Sequence, residues 1–334
     1  MAGAAALARA QALACWDSRE VVDITHVGDI QDDIGLGEGR TNQNFIATVV
    51  SAGKRERYFV RIGSDLPAYG VSRAKEHAAA RSAELAGIGA SVLYSELPDA
   101  LVCAFVDGRS LTETEVKAAC DGKDHELLEA LCEALRRLHR TSMPPEVARM
   151  APASAQWAPP DLDRWIKYSR DASFCRLPVL EDAEALVARL EKAAGPLDAN
   201  SASFCHFDLL PDNFVCARHT DGPPTITIVD YEYCNAGQPL MDLAITSMGC
   251  RLSGAQESRL LCGYLQLDEL SAVVNCSFAA LKVLATLRET MWGVVAEVSG
   301  SSALPLQEAI RYTDSNYAKF LEAKARFDDM CRTQ

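Results

Sequence analysis

The 334-residue sequence has no C-x-x-C pair, although it carries twelve cysteines. No paired cysteine–histidine spacing suggests a zinc site either. The cysteines stand singly, mostly among apolar neighbours, where a thiol acts as a small hydrophobe. They read as reduced, which points to the cytoplasm. No apolar run approaches the roughly 20 residues that span a bilayer. The alanine-rich start, MAGAAALARAQALACW, has no basic segment ahead of a long Leu/Val core and does not read as a signal peptide. Positive charge is short as well: 33 Lys and Arg face 46 Asp and Glu, a net charge of −13. A nucleic-acid binder would present a basic face. The expected partner is therefore a small molecule, with neither nucleic acid nor membrane.

What is present is a globular composition, 49% hydrophobic and 24% charged. The length is too great for one minimal core and suits two lobes. A β-rich N-terminal half and a helical C-terminal half predict an α+β, bilobal fold, divided into residues 1–106 and 107–334. No internal repeat is visible.

The most informative stretch runs from Phe204 to Ala244, FCHFDLLPDNFVCARHTDGPPTITIVDYEYCNAGQPLMDLA. His206, Asp208 and Asn213 form H-x-D-x-x-x-x-N. A short strand, Phe214 to Ala217, a polar turn, and a second strand, Thr225 to Val229, then deliver Asp230. Phosphoryl transfer asks little covalent chemistry of a protein. It needs a hydroxyl held in line and divalent ions bridging the phosphates. Asp208 is placed to accept the hydroxyl proton, while Asn213 and Asp230 offer the hard oxygens that Mg²⁺ takes. Protein kinases carry the same order of Asp, Asn and Asp, so the two lobes are expected to form a protein-kinase-like fold.

Upstream, Gly35 to Asn44 is a glycine-rich turn before the strand FIATVVS. Gly37, Gly39, Thr41 and Asn42 are candidates to lie against the phosphates of ATP. Alone, this turn reads more readily as an ordinary hairpin. Arg61, in the strand RYFVRI, stands where kinases place a lysine. Glu76, on a helix spanning Val71 to Leu85, is its candidate partner; Arg73, Lys75, Arg81 and Glu84 join Glu76 on the polar side of that helix. Leu101 to Phe105 would line the adenine slot, and Asp107 to Ser110 would form the hinge. Beyond it, ELLEALCEALRRLHR has helical spacing, Met143 to Pro160 reads as a loop, and further helices complete the C-terminal lobe.

These residues resemble the choline/ethanolamine kinase family, within the aminoglycoside-phosphotransferase-like kinases. GEGRTNQNF, VRI, LHR, CHFDLLPDNF and IVDYEYCNAGQPLMDLA carry the resemblance, over about residues 35 to 325. It implies an ATP- and Mg²⁺-dependent kinase of an amino alcohol, choline or ethanolamine. Asp208 is then the base, Asn213 and Asp230 the metal ligands, His206 a brace of the catalytic loop, and Asp242 the pin of its backbone. Tyr233 and Trp292 would face the substrate ammonium, with Glu289 the candidate carboxylate and Tyr317 a further substrate residue. The sequence departs from the family in lacking an acid after Asp242 and in having Glu289 where a second tryptophan is common. A related kinase of an aminoglycoside, thiamine or another hydroxylated metabolite is the alternative, and a non-catalytic nucleotide-binding protein is the alternative of another class.

Overall fold

The structure, a computed structural model, describes residues 2–17, 19–27, 42–150, 160–178, 182–195, 202–299 and 304–333. Helix α1 (Ala2–Gln11) precedes strand β1 (Glu20–His26), and a hairpin joins β2 (Gln43–Ser51) to β3 (Lys54–Ile62). Ala52 and Gly53 both have positive φ at its tip, the geometry whose twist matches that of paired strands. After α2 (Arg73–Leu85), β4 (Val92–Glu96) and β5 (Ala100–Ala104) complete an antiparallel sheet of order β1-β2-β3-β5-β4. The β-branched and aromatic residues that favour these strands also form their core. Phe45, Val49, Tyr58 and Val60 pack on Ala6, Ala10, Leu13 and Trp16.

The second lobe begins with β6 (Arg109–Ser110) and continues through α3 (Glu113–Cys120), α4 (His125–Arg140), α5 (Pro145–Met150), α6 (Pro160–Asp171) and α7 (Ala183–Ala194). Four short strands follow: β7 (Ser203–Cys205), β8 (Phe214–Ala217), β9 (Thr225–Ile228) and β10 (Asn235–Gly237). Helices α8 (Pro239–Gly249), α9 (Gly254–Leu265), α10 (Ala272–Ser299) and α11 (Leu306–Thr333) close the chain. The strands form two small sheets, β6-β8-β9 and β10-β7. The kinase-like, bilobal α+β architecture is the expected one. Among the described residues no helix is long and apolar enough to cross a membrane, and all twelve cysteines are unpaired.

Helix α4 buries Leu127, Leu128, Leu131, Leu135 and Leu138, as their spacing predicts. Helix α10 runs through the core of the lobe and buries polar Arg288, Glu289 and Thr290 among its apolar residues. Gly293 lets α11 come close: a Cβ there would meet Thr313 Oγ1 at 2.5 Å. Four elements were not expected. Helix α3 rests on a capping box between Thr112 and Glu115, which satisfies its first amides without a long apolar stripe. Helix α5 lies inside the segment read as a loop; β6 and β10 are too short to leave a periodic signal.

Candidate active site

The loop between β7 and β8 is held from beneath by one carboxylate. Asp242, fully buried on α8, accepts the backbone N–H of His206 (Oδ2, 2.8 Å) and of Phe207 (Oδ1, 2.8 Å). Its Oδ2 also lies 3.0 Å from Nε2 of His139, the histidine of LHR. His206 takes the N–H of Asp208 on Nδ1 (3.2 Å), which leaves Nε2 to donate to the carbonyl of Val229 (2.9 Å). One imidazole thus ties the Asp208 turn to the residue before Asp230. Phe207 and Asp230 both have left-handed backbone, φ 61° and 66°, a strained state for residues with a Cβ that clusters at functional sites.

Burial drops His206 to about 4, against the pull of Asp242 the other way. Because the folded value lies below the ordinary 6.5, the stabilisation is complete above pH 6.5 and is lost as pH falls through about 4. That shift corresponds to about 3 kcal/mol. Urea unfolding should therefore show a weaker protein at pH 4 than at pH 7. His206→Asn, which has no proton to take up, should lose less over the same range; equal losses would reject this account.

Asn213 Nδ2 donates to the main-chain carbonyl of Asp208 (2.6 Å) and approaches its Oδ2 (3.3 Å). The amide nitrogen is thereby spent on Asp208, leaving Asn213 Oδ1 as its ligand atom. The carbonyl of Asn213 accepts from Val229 N–H (3.1 Å), beside Asp230. Asp230 opens onto the cleft yet sits deep in it. The surrounding protein, then the carboxylates of Glu232, Glu76 and Asp208, push its carboxyl well above the usual range. A set of hard oxygens with surplus negative charge fits Mg²⁺.

Arg61 is buried (3% exposed), and its Nε lies 3.2 Å from Glu76 Oε1. Burial lowers the Arg61 pKa, with Glu76 opposing. The start of the polar side of α2 turns inward: Arg73, Lys75 and Glu76 are buried. Arg73, which sequence reasoning left on that surface, donates from Nη1 to Glu76 (2.8 Å) and to Glu232 (2.9 Å), and from Nη2 to Asn42. The i, i+3 spacing of Arg73 and Glu76 was the available signal. Buried ion pairs leave an uncompensated charge when one member is lost. Arg61→Ala and Glu76→Ala should each raise KM for ATP several-fold, and the double variant should cost less than the sum of the two free-energy losses. Strict additivity would make them independent charges.

A cleft of about 650 Å³ joins these groups. Asn42, Arg61, Glu76, Asp208, Asn213 and Asp230 all line it. On one side are Leu101, Phe105 and Ile228, with the Arg57 guanidinium 4.1 Å from the Phe105 ring centroid. On the other side are Tyr233, Arg288, Glu289, Trp292 and Tyr312. Trp292 Nε1 donates to Tyr233 Oη (2.8 Å), and Tyr312 Oη donates to Glu289 Oε1. Tyr317 is not brought to this cleft; it stacks on Phe320, 5.8 Å between centroids. Five residues along a helix turn the side chain by roughly 140°, so Tyr312 takes the cleft face of α11 instead. The Arg288 guanidinium, which sequence reasoning did not single out, lies 4.9 Å over Tyr233, where an ammonium was expected. Gly37, Gly39 and Thr41 lie outside the described residues.

The profile of the family described as phosphotransferase enzyme family matches residues 34–272. The chain belongs to that family. No curated protein matches it in sequence. Among solved structures it is similar to a choline/ethanolamine kinase family protein of Mesorhizobium loti, with 22% identity, 97% of this chain and 94% of that one covered, and a TM-score of 0.68. It is similar to an ethanolamine kinase of Plasmodium vivax at 14% identity, covering 94% and 84%, TM-score 0.69. It is also similar to a choline kinase of Streptococcus pneumoniae, solved too with AMP, at 18% identity, covering 92% and 94%, TM-score 0.65. At these identities the likeness fixes the fold, and with family membership it makes the protein a phosphotransferase of kinase-like architecture.

Proposed function

We propose that the protein transfers the γ-phosphoryl group of ATP to the hydroxyl of a small amino alcohol. The observation that carries this reading is the convergence of Asp208, Asn213 and Asp230 on one cleft, with the Asn213 amide holding Asp208. Asp208 Oδ atoms would receive the hydroxyl proton as the oxygen attacks. Asn213 Oδ1 and the Asp230 carboxylate would hold Mg²⁺, which when bound neutralises charge on the phosphates. Arg61, fixed by Glu76, would meet the nucleotide, and the neighbour solved with AMP supports nucleotide use. Phe105 and Leu101 would cover the adenine. The chain would divide between lobes after Val106, and the unpaired cysteines suit the cytoplasm.

Glu289 supplies the amine end of the reading. It is 6% exposed, lines the cleft, and its carboxylate can receive an ammonium N–H. Tyr233 and Trp292 would wall that end. Choline and ethanolamine are the first acceptors to test, because structural neighbours include a choline kinase and an ethanolamine kinase. The experiment is ATP consumption with Mg²⁺ over choline, ethanolamine, thiamine and aminoglycosides. Turnover of an amino alcohol that disappears in Asp208→Ala supports the reading. Turnover confined to thiamine or an aminoglycoside would reject the amino alcohol.

A further inference from the structure

Phosphoryl transfer leaves Arg288 unused. Its side chain is 1% exposed, and it lines the cleft beside Glu289 and Tyr233. The guanidinium carbon lies 4.9 Å from the Tyr233 ring centroid and 5.1 Å from that of Trp165. Nη1 reaches Glu289 Oε2 only at 3.7 Å. Nε and Nη2 are buried and, among the described residues, have no hydrogen-bond partner. Those two nitrogens make up one edge of the guanidinium, with two N–H bonds side by side. That edge matches the two oxygens of a carboxylate.

Nearby negative charge does not fill this role. The Glu289 carboxylate is shared with the Tyr312 hydroxyl. Asp161, which also feels Arg288, is held above the usual carboxylate range by its burial. Arg288 also takes a position over Tyr233 that a substrate cation would otherwise occupy. Away from bulk water an ion pair is little screened, so an anion at this edge would be bound firmly.

Resting on the reading of the cleft as an amino-alcohol kinase site, we propose that the acceptor also carries a carboxylate, received side-on by Nε and Nη2 of Arg288, while Glu289 takes its amine. The substrate class is a hydroxy amino acid. Serine and ethanolamine differ only by this carboxylate, as do homoserine and 3-amino-1-propanol, so each pair isolates the group.

The test measures equilibrium binding of L-serine, ethanolamine, L-homoserine and 3-amino-1-propanol to the full chain with Mg²⁺ and a non-hydrolysable ATP analogue, alongside ATP consumption. At least one carboxylated member should bind roughly tenfold or more tightly than its counterpart. Arg288→Lys keeps a cation over the rings but lacks the paired edge. It should bring the two members of that pair to within about threefold, with nucleotide binding reporting an intact fold. Arg288→Gln should do the same should lysine misfold. Equal or weaker binding of the carboxylated members, no binding of either, or a preference that survives both variants overturns the proposal. Selective binding of the carboxylated member without ATP consumption would instead overturn the kinase reading and leave the carboxylate site standing.

Discussion

Replacing Asp208 with alanine should lower turnover by about 10²–10⁴-fold, the usual contribution of a positioned general base. In barrier height this is about 3–5 kcal/mol. The fold should survive, because the loop is held by other groups. Asp242 takes the amides of His206 and Phe207, His206 bridges to Val229, and Asn213 holds the main-chain carbonyl of residue 208, which alanine keeps. Binding of the nucleotide should change little, since Arg61 and Glu76 are untouched. Steady-state kinetics and calorimetric titration with ATP check the two halves separately. Turnover within tenfold of the wild type would remove Asp208 from the chemistry.

Asp230→Asn should separate activity from stability in opposite directions. Activity should fall, and the Mg²⁺ concentration for half-maximal rate should rise by about tenfold or more, because a charged oxygen ligand is lost. The metal-free variant should nevertheless unfold at a higher temperature than the wild type. Asp230 is repelled by Glu232, Glu76 and Asp208, and asparagine removes that repulsion. Asparagine also tolerates the left-handed backbone at φ 66°. The sign in pH follows. An acid whose folded pKa is raised favours the fold more at low pH than at high, so the stability gap between variant and wild type should widen as pH rises. A variant with an unchanged Mg²⁺ titration would show that Asp230 holds no metal, and a lower unfolding temperature would show that its role is structural.

The lobes, the long helices and the catalytic loop were legible because each has a local signature. Helix α4 repeats leucine at helical spacing, and His206, Asp208 and Asn213 fall within eight consecutive residues on one strand-to-strand connection. Arg61 and Glu76 could be paired from their order along the chain, and they stand 3.2 Å apart. What sequence could not show was direction. The charges of α2 read as a wet face, yet Arg73 is wholly buried because Glu232, 159 residues later, arrives to meet it. Likewise Arg288 comes to lie over Tyr233, which is distant in the chain, and no local pattern announces that meeting. Tyr317 was credited where Tyr312 stands, since an aromatic residue on an amphipathic helix does not declare which neighbour it will face.

Arg73 also bears on how the chain can be taken apart. It arises in the first lobe and shares its Nη1 between Glu76 of the same helix and Glu232 of the other lobe. Expressed as two pieces cut between β5 and β6, the first would keep Arg73 on Glu76 and Asn42 but without Glu232. The second would carry Glu232 next to Asp230 with no cation between them. Each fragment alone would therefore be poorly soluble or loosely folded on the severed side. Mixed together, the fragments would restore the Arg73–Glu232 pair, so this protein is a candidate for a split enzyme whose activity reports reassembly.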